Sequence, residues 1–176
     1  MHRWRHNGIT NRDAITYPPR FIFNRENIEP MIEINGVAHT NISVSNWTAC
    51  RDFYNQLLPF FGMKRVFEGD DMIYHVGGRT GFAIQRCDPE FENDRFVQNS
   101  VGLHHHCFRA RSCEDVDKAH QHLLEMGAKI VHSPEHGGWA PGYYSVLFED
   151  PIGIRLEVNH VPGHGVLAKG AGFDPA

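Results

Sequence analysis

Residues 36–46 read GVAHTNISVSN, and residues 102–112 read GLHHHCFRARS. Each stretch runs into a helical pattern: WTACRDFYNQLLPFFGMKRVF from residue 47, and CEDVDKAHQHLLEMGAKIV from residue 113. When His39 is laid on His105, the next two landmarks fall into line without a gap. A polar, cap-like residue follows seven positions later in each copy, Asn46 and Ser112. A Leu-Leu pair follows eighteen positions later, Leu57 with Leu58 and Leu123 with Leu124. A glycine then ends each helix, Gly62 and Gly127. Self-similarity at a fixed offset marks a repeated supersecondary unit.

Each copy opens on a strand, alternating about Ile42 and Val44 in the first and about Phe108 and Ala110 in the second. The helix that follows carries one apolar face. Cys50, Phe53 and Leu57 form it in the first copy, and Val116, Ala119, Leu123 and Gly127 in the second. Ser112-x-x-Asp115 resembles a capping box. Three strand candidates come after each helix: residues 64–67, 72–76 and 81–86, then 128–132, 144–149 and 154–159. Both copies are therefore βαβββ, and the fold class is α+β with two such modules. One copy alone is too small to bury a sufficient core, so the two are expected to pair.

The expected organisation is an N-terminal arm over 1–33, a first module over 34–88, a polar linker over 89–100, a second module over 101–161 and a loose tail over 162–176. The arm has no sustained period and no apolar core of a secretory signal, but it carries Trp4, Tyr17, Phe21 and Phe23. It is expected to pack on its own domain or on a neighbouring subunit, unless Met31 is the natural start.

The 176 residues carry a net charge of -4, with 41% hydrophobic and 22% charged residues. That is a globular balance, and it excludes a disordered chain or a coiled-coil rod. No broad basic field exists for nucleic acid, and no apolar run approaches the roughly 18 residues of a membrane span. Cys50, Cys87, Cys107 and Cys113 have no CxxC spacing, which fits a reduced, cytoplasmic setting. A small molecule is the expected partner, together with a second copy of the chain.

Alternate residues of a strand face opposite sides. If Ile42, Val44, Phe82, Ile84, Phe108, Leu156 and Val158 pack under the helices, the other parity forms a polar face. That parity holds His39, Asn41, Gln85, His105, Arg109, Arg155 and Glu157. Two imidazoles and a carboxylate suit a divalent metal with open positions left for substrate or water, and Gln85 would be a weaker fourth ligand or a hydrogen-bond donor behind the ligands. Strand histidines can equally be ordinary hydrogen-bonded residues, and Glu157 an ordinary residue at a sheet end. Arg109 and Arg155 would suit a carboxylate or phosphonate, or else pair with a carboxylate of the face. The Gly-rich segment 135–145, EHGGWAPGYYS, carries Trp139, Tyr143 and Tyr144 and could close over a ligand, or serve only as a hairpin connection.

GVAHTNISVSN, GLHHHCFRA and LFEDPIGIRLEVNHVPG resemble the vicinal oxygen chelate superfamily of glyoxalase I, bleomycin-resistance proteins and extradiol dioxygenases. The resemblance covers about residues 34–161, and Glu149, Asp150, Pro151, Gly153 and Glu157 are its most specific part. It implies paired βαβββ modules forming an open, cup-shaped mixed sheet around a metal, with His39, His105 and Glu157 as ligands. The metal would be Fe, Mn, Ni, Co or Zn. The expected activity is a lyase or isomerase reaction on a small oxygen-rich molecule, with Glu157 also the candidate base. A non-heme iron dioxygenase and a non-catalytic binding protein are the alternatives. Glyoxalase I carries a glutamate where this chain has Gln85. Extradiol enzymes carry a tyrosine where this chain has Leu147, and His136 is only the nearest match to their upstream histidine. Bleomycin-resistance proteins usually lack the triad.

Overall fold

A computed structural model describes residues 34–173. The chain divides into two units, Met1–Asn35 and Gly36–Ala176. All elements below belong to the second. The expected arm over 1–33 lies outside the described residues.

The first module runs β1 (His39–Val44), α1 (Trp47–Phe60), β2 (Lys64–Glu68), β3 (Met72–Gly77) and β4 (Thr80–Arg86). The second runs β5 (His106–Arg109), α2 (Cys113–Glu125), β6 (Lys129–His136), β7 (Tyr144–Glu149) and β8 (Arg155–His160). Both are βαβββ, in the order read from the repeat. Each forms its own four-stranded mixed sheet, β1-β4-β3-β2 and β5-β8-β7-β6, with one parallel pair where the first strand lies beside the last.

Local signals explain the helix ends. Ser112 accepts a hydrogen bond from Asp115 N at 3.1 Å, so α2 is capped as its sequence predicts. Asn46 makes no side-chain cap. It sits instead in the left-handed region at φ 44°, a conformation asparagine tolerates better than most residues. Gly62 and Gly127 follow the helices at φ 76° and 68°, where the missing Cβ removes the penalty.

The strand parity holds. Ile42, Val44, Phe82, Ile84, Ile154, Leu156 and Val158 are buried in one continuous core with Tyr54, Leu57, Leu58, Val116 and Leu123. Each such side chain removed from water contributes about 1.5–3 kcal/mol before entropy is counted. The two modules meet on these helix-facing sides. Phe82 packs against Phe108 and His106 at centroid distances of 5.3 and 4.9 Å, and Phe61 against Phe108 at 5.1 Å. The polar face of each sheet therefore lies on the side away from the shared core. No helix among the described residues is long and apolar enough to cross a membrane.

Candidate functional site

The turn before β8 sets the site. Asp150 is buried at 4% exposure and accepts hydrogen bonds on Oδ1 from Ile152 N (3.0 Å) and Ile154 N (2.8 Å). Its Oδ2 accepts from the Tyr54 phenol at 3.0 Å, which ties the turn to α1. Burial pushes the Asp150 carboxyl up to about 6, and these donors hold it back from rising further. Gly153 completes the turn at φ 98°. The strand that leaves it carries Arg155, Glu157 and Asn159 on the polar face.

Glu157 lies opposite Cys107 on β5 and Leu147 on β7. It is 7% exposed, and both carboxylate oxygens are engaged. Oε2 stands 3.2 Å from His105 Nε2, and Oε1 accepts from the Tyr143 phenol at 2.6 Å. Burial and then the bond to Glu157 push the Tyr143 phenol well up, and burial next to Glu157 does the same to the Cys107 thiol. The Tyr143 bond restrains one carboxylate oxygen, and the His105 ring stands beside the other.

These groups open into a cavity of about 340 Å³, walled by Trp139, Tyr143 and Leu147, with Arg155, Glu157, His104, His105 and His132 as its polar lining. Arg155 Nε is 3.7 Å from Glu149 Oε1, too long for a hydrogen bond, and it has no other partner. The side chain is thus ion-paired with Glu149 while it also lines the cavity. His104 Nδ1 lies 2.7 Å from His105 Nδ1. His106 turns the other way, into the module contact beside Phe82, and burial lowers its pKa, with His105 adding to the effect.

The other expected residues lie elsewhere. His39 is exposed on the first module's polar face, opposite Gly81. Gln85 lies opposite Ser43, two polar-face rows further on, and accepts from Asn41 Nδ2 at 3.5 Å. Four residues of strand separate the rows of His39 and Gln85 by roughly 13 Å, too far for the two to share one ion. With His39 laid on His105, the residue in register with Glu157 is Ala83, so Gln85 does not occupy the matching position expected for it. Tyr144 has the helix-facing parity and donates to Asp117 Oδ1 on α2 at 2.8 Å, away from the cavity. Arg109 lines a separate cleft of about 950 Å³ between the modules, with Phe60, Phe61, Phe82 and Lys118. That cleft is larger but holds neither His39, His105 nor Glu157. His105, Glu157, Arg155, Trp139 and Tyr143 are thus brought together, and His39, Gln85, Asn41, Arg109 and Tyr144 are not.

Residues 36–158 match the family model of the Glyoxalase/Bleomycin resistance protein/Dioxygenase superfamily. The chain belongs to this superfamily. The Bacillus subtilis protein YqjT is 28% identical over 123 residues, 68% of this chain and 94% of that protein. Among solved structures, a glyoxalase-type protein from Bacillus halodurans is similar with a TM-score of 0.63 at 24% identity, covering 72% of this chain and 96% of its own. Lactoylglutathione lyase from Agrobacterium tumefaciens is similar with a TM-score of 0.53 at 24% identity, covering 72% and 94%. At these identities the likeness speaks for the superfamily's fold.

Three features of this cavity and its surroundings escape sequence reading. The Tyr143–Glu157 bond crosses a glycine-rich loop whose path no periodicity gives. His104 and His132 also line the cavity, although the polar parity singles out neither as a site residue. Ala83 emerges only once the β1–β4 register is known, although counting two residues on from the partner of each first-strand histidine would have pointed to it.

Proposed function

We propose that the chain is a metal-dependent lyase or isomerase acting on a small molecule with vicinal oxygens, and that it works as a homodimer. The observation that carries this reading is the His105–Glu157 pair, 3.2 Å apart in a cavity that also holds Arg155. One imidazole and one carboxylate are the right donors for a divalent ion. Among the described residues no group of three His, Cys, Asp or Glu could hold a metal. One chain therefore supplies two of the three donors.

His39 is the missing donor, standing exposed on a polar face of its own. We propose that a second copy covers that face, so that His105 and Glu157 hold the ion together with the partner subunit's His39. Gln85 is left out of the set by its row. The ion, one of Fe, Mn, Ni, Co or Zn, would supply a Lewis acid for two substrate oxygens and the developing enolate or oxyanion. Arg155 would anchor an anionic group of the substrate. Trp139 and Leu147 would exclude water from the cavity. Glu157, the only carboxylate among the described residues lining the cavity, would take and return the proton next to the substrate carbonyl. With all four cysteines free, we place the protein in the cytoplasm.

A non-catalytic binding protein is the second reading, favoured by the fact that both oxygens of Glu157 already have partners within the chain. Elemental analysis of chelator-free protein beside His105→Ala and Glu157→Ala tests the first reading. About one divalent ion per chain, lost in both variants, supports it. Turnover of 2-oxoaldehydes or hydroxy acids then identifies the lyase or isomerase, and oxygen uptake with catechols identifies a dioxygenase. Folded wild-type protein that takes up no metal on reconstitution sinks it.

A further inference from the structure

The loop joining β6 to β7, residues 137–143, is fastened to the site by its last side chain. Gly137 N donates to Tyr143 O at 3.1 Å, and Tyr143 N donates to Ala140 O at 3.0 Å. Gly142 adopts φ 71°, and a Cβ there would press on Pro162 at 2.7 Å. The turn thus needs glycine on two counts. It delivers the Tyr143 phenol to Glu157 Oε1 at 2.6 Å, the length of a charge-assisted O–H···O⁻ bond. Trp139, on the same loop, is half-exposed and walls the same cavity.

We propose that Tyr143 is a positioning residue for Glu157 and not a substrate contact. The phenol occupies Oε1 and leaves Oε2 turned to His105. Without it the carboxylate regains rotamer freedom that binding must then remove. The same bond holds the loop down, so that Trp139 keeps its place over the cavity. The carboxylate half of the proposal rests on the metal site proposed above. The loop half does not.

The test uses the full-length chain labelled with 5-fluorotryptophan, in which Trp4, Trp47 and Trp139 give three fluorine resonances and Trp139→Phe assigns the third. Tyr143→Phe, Glu157→Ala and the double variant are compared after circular dichroism has established wild-type folding. The expected result is a Trp139 shift in each single variant and no further shift in the double, because both changes remove one shared bond. Calorimetric titration with zinc is expected to show about 10–100-fold weaker binding in Tyr143→Phe than in wild type, as for other partners that orient a ligand. An unmoved Trp139 resonance in Tyr143→Phe, or shifts that add, overturns the loop half. Equal zinc affinity in wild type and Tyr143→Phe overturns the carboxylate half. Wild-type protein that binds no zinc or other divalent ion removes the metal site itself, and the carboxylate half with it, while the fluorine shifts still decide the loop half.

Discussion

The Tyr54 phenol donates to Asp150 Oδ2 at 3.0 Å, joining α1 of the first module to the turn that launches β8 in the second. Both residues are buried. The bond therefore links the packing of the two modules to the placement of Glu157, seven residues on from Asp150.

Tyr54→Phe keeps the ring and its stacking on Phe82 but removes the donor. Leaving the buried carboxyl short of one partner is expected to cost about 1–3 kcal/mol. Chemical denaturation would check this: the midpoint should fall with the slope unchanged. An unaltered midpoint would mean that the bond adds nothing to module packing.

Asp150 also gives stability a pH dependence of known sign. Burial raises its folded value to about 6 from 3.8. A raised carboxyl favours folding in its protonated form. Its contribution is complete below the unfolded value and is lost as pH rises through about 6. Asp150→Asn cannot titrate. Its melting temperature relative to wild type is expected to improve from pH 4 to about pH 6 and then level off, and a constant difference from pH 4 to pH 7 would contradict the assignment.

His75 acts in the opposite direction. It is fully buried on β3, and neither ring nitrogen has a hydrogen-bond partner. Burial lowers its pKa, with Arg65 adding to the effect and Glu68 opposing it. The unfolded chain therefore takes up the proton first, and stability is lost as pH falls from the unfolded value of about 6.5 toward the lower folded one. His75→Leu is expected to flatten the acid side of the melting profile and to gain about 1–3 kcal/mol at neutral pH by removing unpaired polar atoms. A profile that keeps the wild-type acid slope would show that His75 is not its source.

Gly81 lies opposite His39, with the Tyr74 ring directly over it where a Cβ would stand. Gly81→Ala is expected to destabilise by about 1–3 kcal/mol through overpacking. Gly81→Ala combined with Tyr74→Ala should cost less than the sum of the two single changes. Additive costs would show that the ring moves aside freely.

Most of the fold was legible because the repeat carries it. Equal offsets from His39 and His105 to the caps and the Leu-Leu pairs fixed the element order, and alternation about Ile42 and Phe82 fixed the buried face. Asn46 looked like a cap only because a polar residue stood where Ser112 does, and backbone conformation decided otherwise. The site was half legible. Parity put His105, Arg155 and Glu157 on one face because they share or adjoin paired strands. It could not say that His39 sits on a separate sheet, since parity carries no information on how two sheets are joined. It also could not separate Gln85 from Ala83, because both have the polar parity and only the register against β1 distinguishes them. Tyr143 was legible as a loop aromatic, but its bond to Glu157 depends on the turn at Gly142.

The proposed metal site draws on two copies of the chain. Complementation tests it directly. His39→Ala and His105→Ala are each purified, then mixed and refolded together, and metal content is measured by elemental analysis. Neither variant should hold metal alone. In a two-fold dimer with shared sites, a mixed pair has one doubly broken site and one intact site, so the mixture should recover roughly a quarter of the wild-type metal. Full metal in His39→Ala alone, or no recovery in a mixture proven to contain mixed dimers, would contradict the account.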